Sequence, residues 1–225
     1  LMTGRDPMRL GVAYGVVLPW DSGGVHTSEH FMPESFQAAG YQTAMVGKWH
    51  LGHSQQALHP NERGFEHFYG HLHTEVGYYP PFGILGGNDF QENGKTIAYE
   101  NLAPDPLSDD NYETYLLADH SSEWIKRRDK TKPFFLFTCY HEPHEPIAAA
   151  PDFAKDYPSN DPSYSAYWGN VAQLDTHFGR LMAELDKQKL RDNTLVFFTS
   201  DNGPARTSFH PHGETDGLRD KKGSV

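Results

Sequence analysis

Residues 133–146 read PFFLFTCYHEPHEP, an unbroken apolar run that gives way to a cluster of histidines, glutamates and prolines. An apolar run of that length, 133–138, is what a strand buried on both faces of a parallel sheet looks like. Pro143 and Pro146 hold the following chain extended and keep it from continuing as helix or sheet. Two other stretches share this grammar. A strand at 41–46 runs straight into VGKWHLGH at 46–53, and a second continuous apolar run, TLVFFTS at 194–200, ends in Asp201-Asn202-Gly203.

Between these runs the spacing predicts helices. Residues 27–39 carry Pro33 near the start, Phe36 and Ala39 as apolar positions and Gly40 as the stop. Residues 112–128 place Leu117, Trp124 and Ile125 on one face, and Val171, Leu174, Phe178, Leu181 and Leu185 recur at helical spacing. Residues 59–111 are rich in Gly, Pro, Asn and Asp and read as a long irregular stretch of the kind that lines a site, with His73, Tyr78 and Tyr79 as pocket candidates. Strands alternating with helices predict an α/β domain with a largely parallel sheet. Ligands in such sheets bind outside the carboxyl ends of the strands, so the polar cluster after each predicted strand points to one shared site.

Composition narrows the ligand. A net charge of -11 argues against nucleic acid as the main partner and requires local cations to attract any anionic substrate. No apolar run approaches the roughly 20 residues of a membrane span. Cys139 is the only cysteine, so no internal disulfide forms. The 14 histidines, several beside Pro or Gly in loops, favour proton transfer or metal binding over packing.

Each cluster has its own chemistry. In an extended segment Lys48 and His50 face one side and Trp49 the other, and an ammonium beside an imidazole suits an anion; a strand end with a solvated lysine is the alternative. Asp201 and Asn202 offer hard oxygens suited to Ca²⁺ or Mg²⁺, although the same residues with Gly203 make an ordinary turn. Two side-chain oxygens do not complete a Ca²⁺ shell. The stretch from His141 to Pro146 could hold a transition metal, supply a catalytic histidine or be a solvated loop. Zinc would want a larger set of His or Cys ligands, so proton transfer fits better. Residues 218–223, LRDKKG, are either a solvated loop or part of an oxyanion clamp.

Taken together, these motifs resemble the sulfatase family, of the arylsulfatase and N-acetylgalactosamine-sulfatase type. The matching pieces are Met2-Thr3-Gly4-Arg5, Gly40-Tyr41, Gly47-Lys48-Trp49-His50-Leu51-Gly52, Arg63-Gly64-Phe65, Pro143-His144-Glu145-Pro146, Thr199-Ser200-Asp201-Asn202-Gly203, and Leu218-Arg219 with Lys222-Gly223. They occur in family order across almost the whole chain, and the Gly-Lys-Trp-His-Leu-Gly element is the most specific. The resemblance implies an alkaline-phosphatase-like α/β sandwich with a largely parallel central sheet flanked by helices. It implies hydrolysis of sulfate esters of a sulfated sugar or aryl group, through the hydrate of a formylglycine made from Cys or Ser, with Ca²⁺ (or Mg²⁺) on the sulfate oxygens. By position, Asp201 and Asn202 look like metal ligands and Lys48 like a sulfate-contacting cation. His50 looks like the base that helps release sulfate from the covalent intermediate, and His144 and Lys222 like residues that bind sulfate and protonate the departing alcohol.

Residues 1–225 are therefore expected to be the central part of one sulfatase catalytic domain, truncated at both ends and inactive alone, with the formylglycine signature upstream of Leu1. Asp220 stands where the family commonly has glycine. Residence in a periplasmic, extracellular or lysosomal compartment follows from the resemblance only, and the sequence leaves the oligomeric state open. A phosphatase or phosphonate monoester hydrolase of the same superfamily is the rival enzyme; a non-catalytic binder of sulfated glycans is the rival from another class.

Overall fold

A computed structural model describes residues 1–12, 15–73, 77–80, 82, 87–98, 112–205 and 211–223, arranged as two compact units, Leu1–His141 and Glu142–Val225.

The first unit is built on a sheet. Strands β1 (Gln42–Lys48), β2 (His67–His71), β3 (Gln91–Glu92), β4 (Lys95–Thr96) and β5 (Phe134–Cys139) lie in the order β4-β3-β2-β1-β5. β1 is central and pairs in parallel with both β2 and β5, whereas β3 and β4 add an antiparallel edge. The largely parallel sheet predicted from sequence is thus mixed, with its parallel part at the centre. β2 to β4 fall inside the stretch expected to be irregular; within it, residues 74–76, 81, 83–86 and 99–111 lie outside the described residues.

Alternation along β1 buries its residues on both faces of the sheet. Met45 packs on one face with Val25, Phe31, Trp49, Phe65 and Phe68, and Val46 packs on the other with Tyr69, Phe82, Phe90 and Leu117. Each large apolar side chain so buried is worth about 1.5–3 kcal/mol. Helix α1 (Met32–Ala38) covers the first face through Phe36, stacked on Phe135 at 4.3 Å; α2 (Glu113–Arg127) covers the second through Leu117. Gly47 has φ +112°, and a Cβ there would sit 2.0 Å from the Cys139 carbonyl oxygen, so only glycine lets β1 and β5 close.

The second unit contains α3 (Pro151–Ala154) and the long α4 (Pro162–Lys187), which starts with Asp161 accepting from the Ser163 amide at 2.9 Å. Leu181 and Leu185 are buried as expected, whereas Val171, Leu174 and Phe178 are half-buried. The buried face also carries Asn170, Gln173 and His177, because the segment before α3 needs hydrogen-bond partners: Gln173 accepts from the Ala150 amide at 3.0 Å, and Asn170 donates to the Ala148 carbonyl at 3.1 Å. Residues 194–200 correct the sequence reading, since they form no strand. No described residue supplies a ladder to them. Leu195 and Phe197 stay 79% and 83% exposed, while Phe198 rests on Phe178 at 4.9 Å.

Candidate functional site

In the first unit the carboxyl ends of β1, β2 and β5 bring polar groups together. Lys48 ends β1 on the α2 face, and His71 lies opposite it in register on β2. Trp49 turns to the other face and is buried, as strand alternation requires. His50 does not continue that alternation. It takes φ +58°, and the chain leaves the sheet there after its amide donates to the Leu72 carbonyl at 2.8 Å. The turn, not the pleat, brings its ring within electrostatic range of Lys48. Burial, and then the Lys48 ammonium, push the His50 pKa down to about 4, so the ring is neutral near pH 7. Its Nε2 donates to the Val17 carbonyl at 3.2 Å, which leaves the lone pair on Nδ1.

Behind Lys48 is a buried network that sequence reasoning missed. Glu113, at the start of α2, accepts from His71 Nε2 at 2.9 Å and from His141 Nδ1 at 3.1 Å, and all three residues are buried. Burial alone would raise the Glu113 pKa, but His141 and His71 outweigh it and bring the carboxyl down to about 2. His71 Nδ1 also faces the His73 carbonyl at 2.8 Å. Both of its nitrogens therefore face oxygen atoms. Burial lowers the His141 pKa, with Glu113 opposing. The missed signal was the alternation His67, Tyr69, His71, His73, which marks one face of a strand. Tyr78 is also buried, stacked between His141 at 4.9 Å and Tyr112 at 5.2 Å, so it supports this network from the core. His73 likewise is buried against Asp89, at 3.2 Å.

The second unit brings together the other predicted residues. Lys222 Nζ donates to His144 Nε2 at 3.0 Å, and His144 Nδ1 donates to the Glu145 carbonyl at 2.7 Å. The Lys222 amide donates to the Pro204 carbonyl at 3.1 Å, and a Cβ on Gly203 would approach the Asp220 carbonyl to 3.0 Å. The Asp201-Asn202-Gly203 turn therefore packs against the strip carrying Lys222. Asp220 takes φ +67°, the left-handed region that glycine prefers, as its place in the motif leads one to expect. Asp201 and Asn202 are exposed, and Asn202 Nδ2 donates to the Gly203 carbonyl at 2.8 Å, leaving its oxygen as acceptor. One carboxylate and one amide oxygen have the hard-donor chemistry that Ca²⁺ prefers, and a Ca²⁺ shell of six to eight oxygens needs more than these two.

The first unit is an α/β sheet with Lys48 and the neutral His50 ring at the carboxyl end of its central strand. The family model for sulfatases matches residues 1–223, and the chain belongs to the sulfatase family. It is 32% identical to N-acetylgalactosamine-6-sulfatase of Sus scrofa over 230 residues, covering 96% of this chain and 42% of that protein. Among solved structures it resembles Ps i-CgsB in complex with k-i-k-neocarrahexaose, with a TM-score of 0.81, 28% identity, and coverage of 91% of this chain and 47% of the other. The phosphonate monoester hydrolase of Agrobacterium radiobacter shares the fold, with a TM-score of 0.51 at 17% identity, over 90% of this chain and 51% of that one. The fold is thus alkaline-phosphatase-like, and the chain spans less than half the length of the curated relative.

Proposed function

We propose that these residues are the central part of a sulfatase catalytic domain that hydrolyses sulfate esters of a sulfated glycan. The observation that carries this reading is the Lys222–His144 pair at 3.0 Å, held against the Asp201-Asn202-Gly203 turn, in a chain of the sulfatase family. Lys48 binds sulfate oxygens. His50, neutral and with a lone pair on Nδ1, takes the proton whose removal releases sulfate from the enzyme. On the leaving-group side the Lys222 ammonium, positioned by its bond to His144 Nε2, is the proton source, so charge developing on the departing oxygen meets a cation and an acid. Asp201 and Asn202 would contribute to holding Ca²⁺, which polarises the sulfate as a Lewis acid when bound. The nucleophile, a formylglycine hydrate by family, lies outside this stretch. Glycan preference is supported by the N-acetylgalactosamine-6-sulfatase relative and by the oligosaccharide in the Ps i-CgsB complex.

The test is turnover of 4-nitrocatechol sulfate and of sulfated galactosamine oligosaccharides by the protein extended upstream through its formylglycine. Turnover should fall by about 10²–10⁴ in His144→Gln. No hydrolysis of any sulfate ester with formylglycine intact, or faster hydrolysis of phosphate or phosphonate esters, would overturn the reading.

A further inference from the structure

A second imidazole cluster lies at the opposite end of β2 from His71. His67 opens the strand and shares a face with Tyr69 and His71. Glu92 of β3 is the register partner of Tyr69, so it projects from that face too. His120 of α2 lies over the same face, its ring stacked on Tyr69 at 3.7 Å. The Nε2 atoms of His67 and His120 are 2.7 Å apart, and Glu92 Oε1 is 4.0 Å from the first and 3.8 Å from the second. Two protonated nitrogens do not face each other at that distance, so at least one Nε2 presents a lone pair. Three elements thus deliver two imidazole nitrogens and a carboxylate oxygen to one point, and no step of the sulfatase reading uses them.

We propose that His67, His120 and Glu92 form a Zn²⁺ site, with a water or small anion as the fourth ligand. Two imidazoles and one carboxylate are the donor set of an open tetrahedral zinc site. Nitrogens about 2.0–2.1 Å from a tetrahedral ion lie about 3.3 Å from each other, so the rings must part by about 0.6 Å, a matter of side-chain torsion. The ion takes the place of the proton between the two Nε2 atoms. That proton moves to Nδ1 of His67, and the long 3.3 Å contact from Asn93 is given up. The cleft around the cluster is lined by Gln42, Trp124, Arg127 and Arg128, whose cations favour a hydroxide, carboxylate or phosphate at the open position. The bound ion ties α2 to the β2–β3 edge. Its nitrogen-rich donors distinguish it from the oxygen pair at Asp201 and Asn202.

The experiment is calorimetric titration of the EDTA-stripped chain with Zn²⁺ in excess Ca²⁺, which occupies oxygen sites and leaves this one open. A parallel titration with Co²⁺ is read by visible absorption. One equivalent of Zn²⁺ should bind with a Kd on the order of micromolar or tighter, tetrahedral Co²⁺ bands should appear, and zinc should raise the thermal midpoint. His120→Ala and Glu92→Gln should each weaken binding at least about tenfold. Glu92 is half exposed, so its variant reports on the site even where His120→Ala disturbs the fold. Absence of saturable zinc binding, or affinity unchanged in both variants, would overturn the proposal. Either result leaves the sulfatase reading to its own assay.

Discussion

FFLFTC at 134–139 and LVFFTS at 195–200 are nearly the same word, yet they end in opposite states. The first is β5, paired with β1 along its whole length from Gln42↔Phe134 to Gly47↔Cys139, its side chains half-buried. The second forms no ladder with any described residue and exposes Leu195 and Phe197 almost fully. Both runs are apolar with a single Thr near the end, so the difference lies in the neighbour. β5 meets a strand whose Gly47 lets the two backbones close, and its backbone groups on that side are paired with β1. Among the described residues the second run has a ring contact from Phe178 of α4 to Phe198 and no strand beside it. An apolar run states a wish for a partner, and the ladder, supplied from distant sequence, decides whether it becomes a strand.

The contrast breaks most visibly under charge. Leu136→Asp puts a carboxylate among Val46, Leu117 and Phe82 and should destabilise the first unit by about 3–5 kcal/mol, enough to abolish a cooperative melt. Phe197→Asp, on an exposed side chain, should shift stability by no more than about 0.5 kcal/mol in urea unfolding. Equal losses at the two positions would mean that 195–200 is packed in solution. Gly47→Ala should come next, at about 3 kcal/mol, because the new Cβ collides with the Cys139 carbonyl and φ +112° is unfavourable for alanine.

Acid should separate the two runs without mutation. The pKa of His50 is lowered to about 4 and that of His120 to about 3, from 6.5, so the unfolded chain takes up protons that the folded rings refuse. Their contribution is complete above about pH 6.5 and fades as pH falls toward 4 and 3. Glu113, lowered to about 2 from 4.5, adds stability that is complete above about 4.5 and is lost toward 2. Residues 194–200 contain no ionisable side chain. Chymotrypsin-type cleavage at Phe197 should therefore proceed already at pH 7, while cleavage within β5, followed with an acid-active protease, should begin only as pH drops below about 5. Protection of Phe197 at neutral pH would count against its exposure.

What could be read in advance follows the same division. β1, β5, α2 and α4 were legible because their apolar residues match the pattern of the element they form, although 194–200 matched as well and forms no strand. β2 to β4 were not, because they are short and carry His, Tyr, Gln, Glu and Lys where a buried strand would carry Val or Ile. The motif residues Lys48, His50, His144 and Lys222 were legible as types. The pairing of Lys222 with His144 is seen only in the folded chain, as is the left-handed turn that separates His50 from the pleat. Glu113 was invisible for a physical reason: a lone glutamate at a helix start is an ordinary cap-proximal charge until two histidines, 42 and 28 residues away, close on it.

The smallest expected effect concerns the strip packed against the turn that follows the unpaired run. Asp220 sits at φ +67°, where aspartate is tolerated and glycine is at ease. Asp220→Gly relieves that conformation but loses the 3.0 Å bond from the Lys221 amide to the Asp220 carboxylate, and it frees the unfolded chain. Relief of about 1 kcal/mol stands against about 0.5–1 kcal/mol of added unfolded-state entropy, so the net change should stay within about 0.5 kcal/mol. A gain above about 1 kcal/mol in urea unfolding would mean that the strip carrying Lys222 is strained at Asp220, and that the segment after 195–200 is held by more than its local turn contacts.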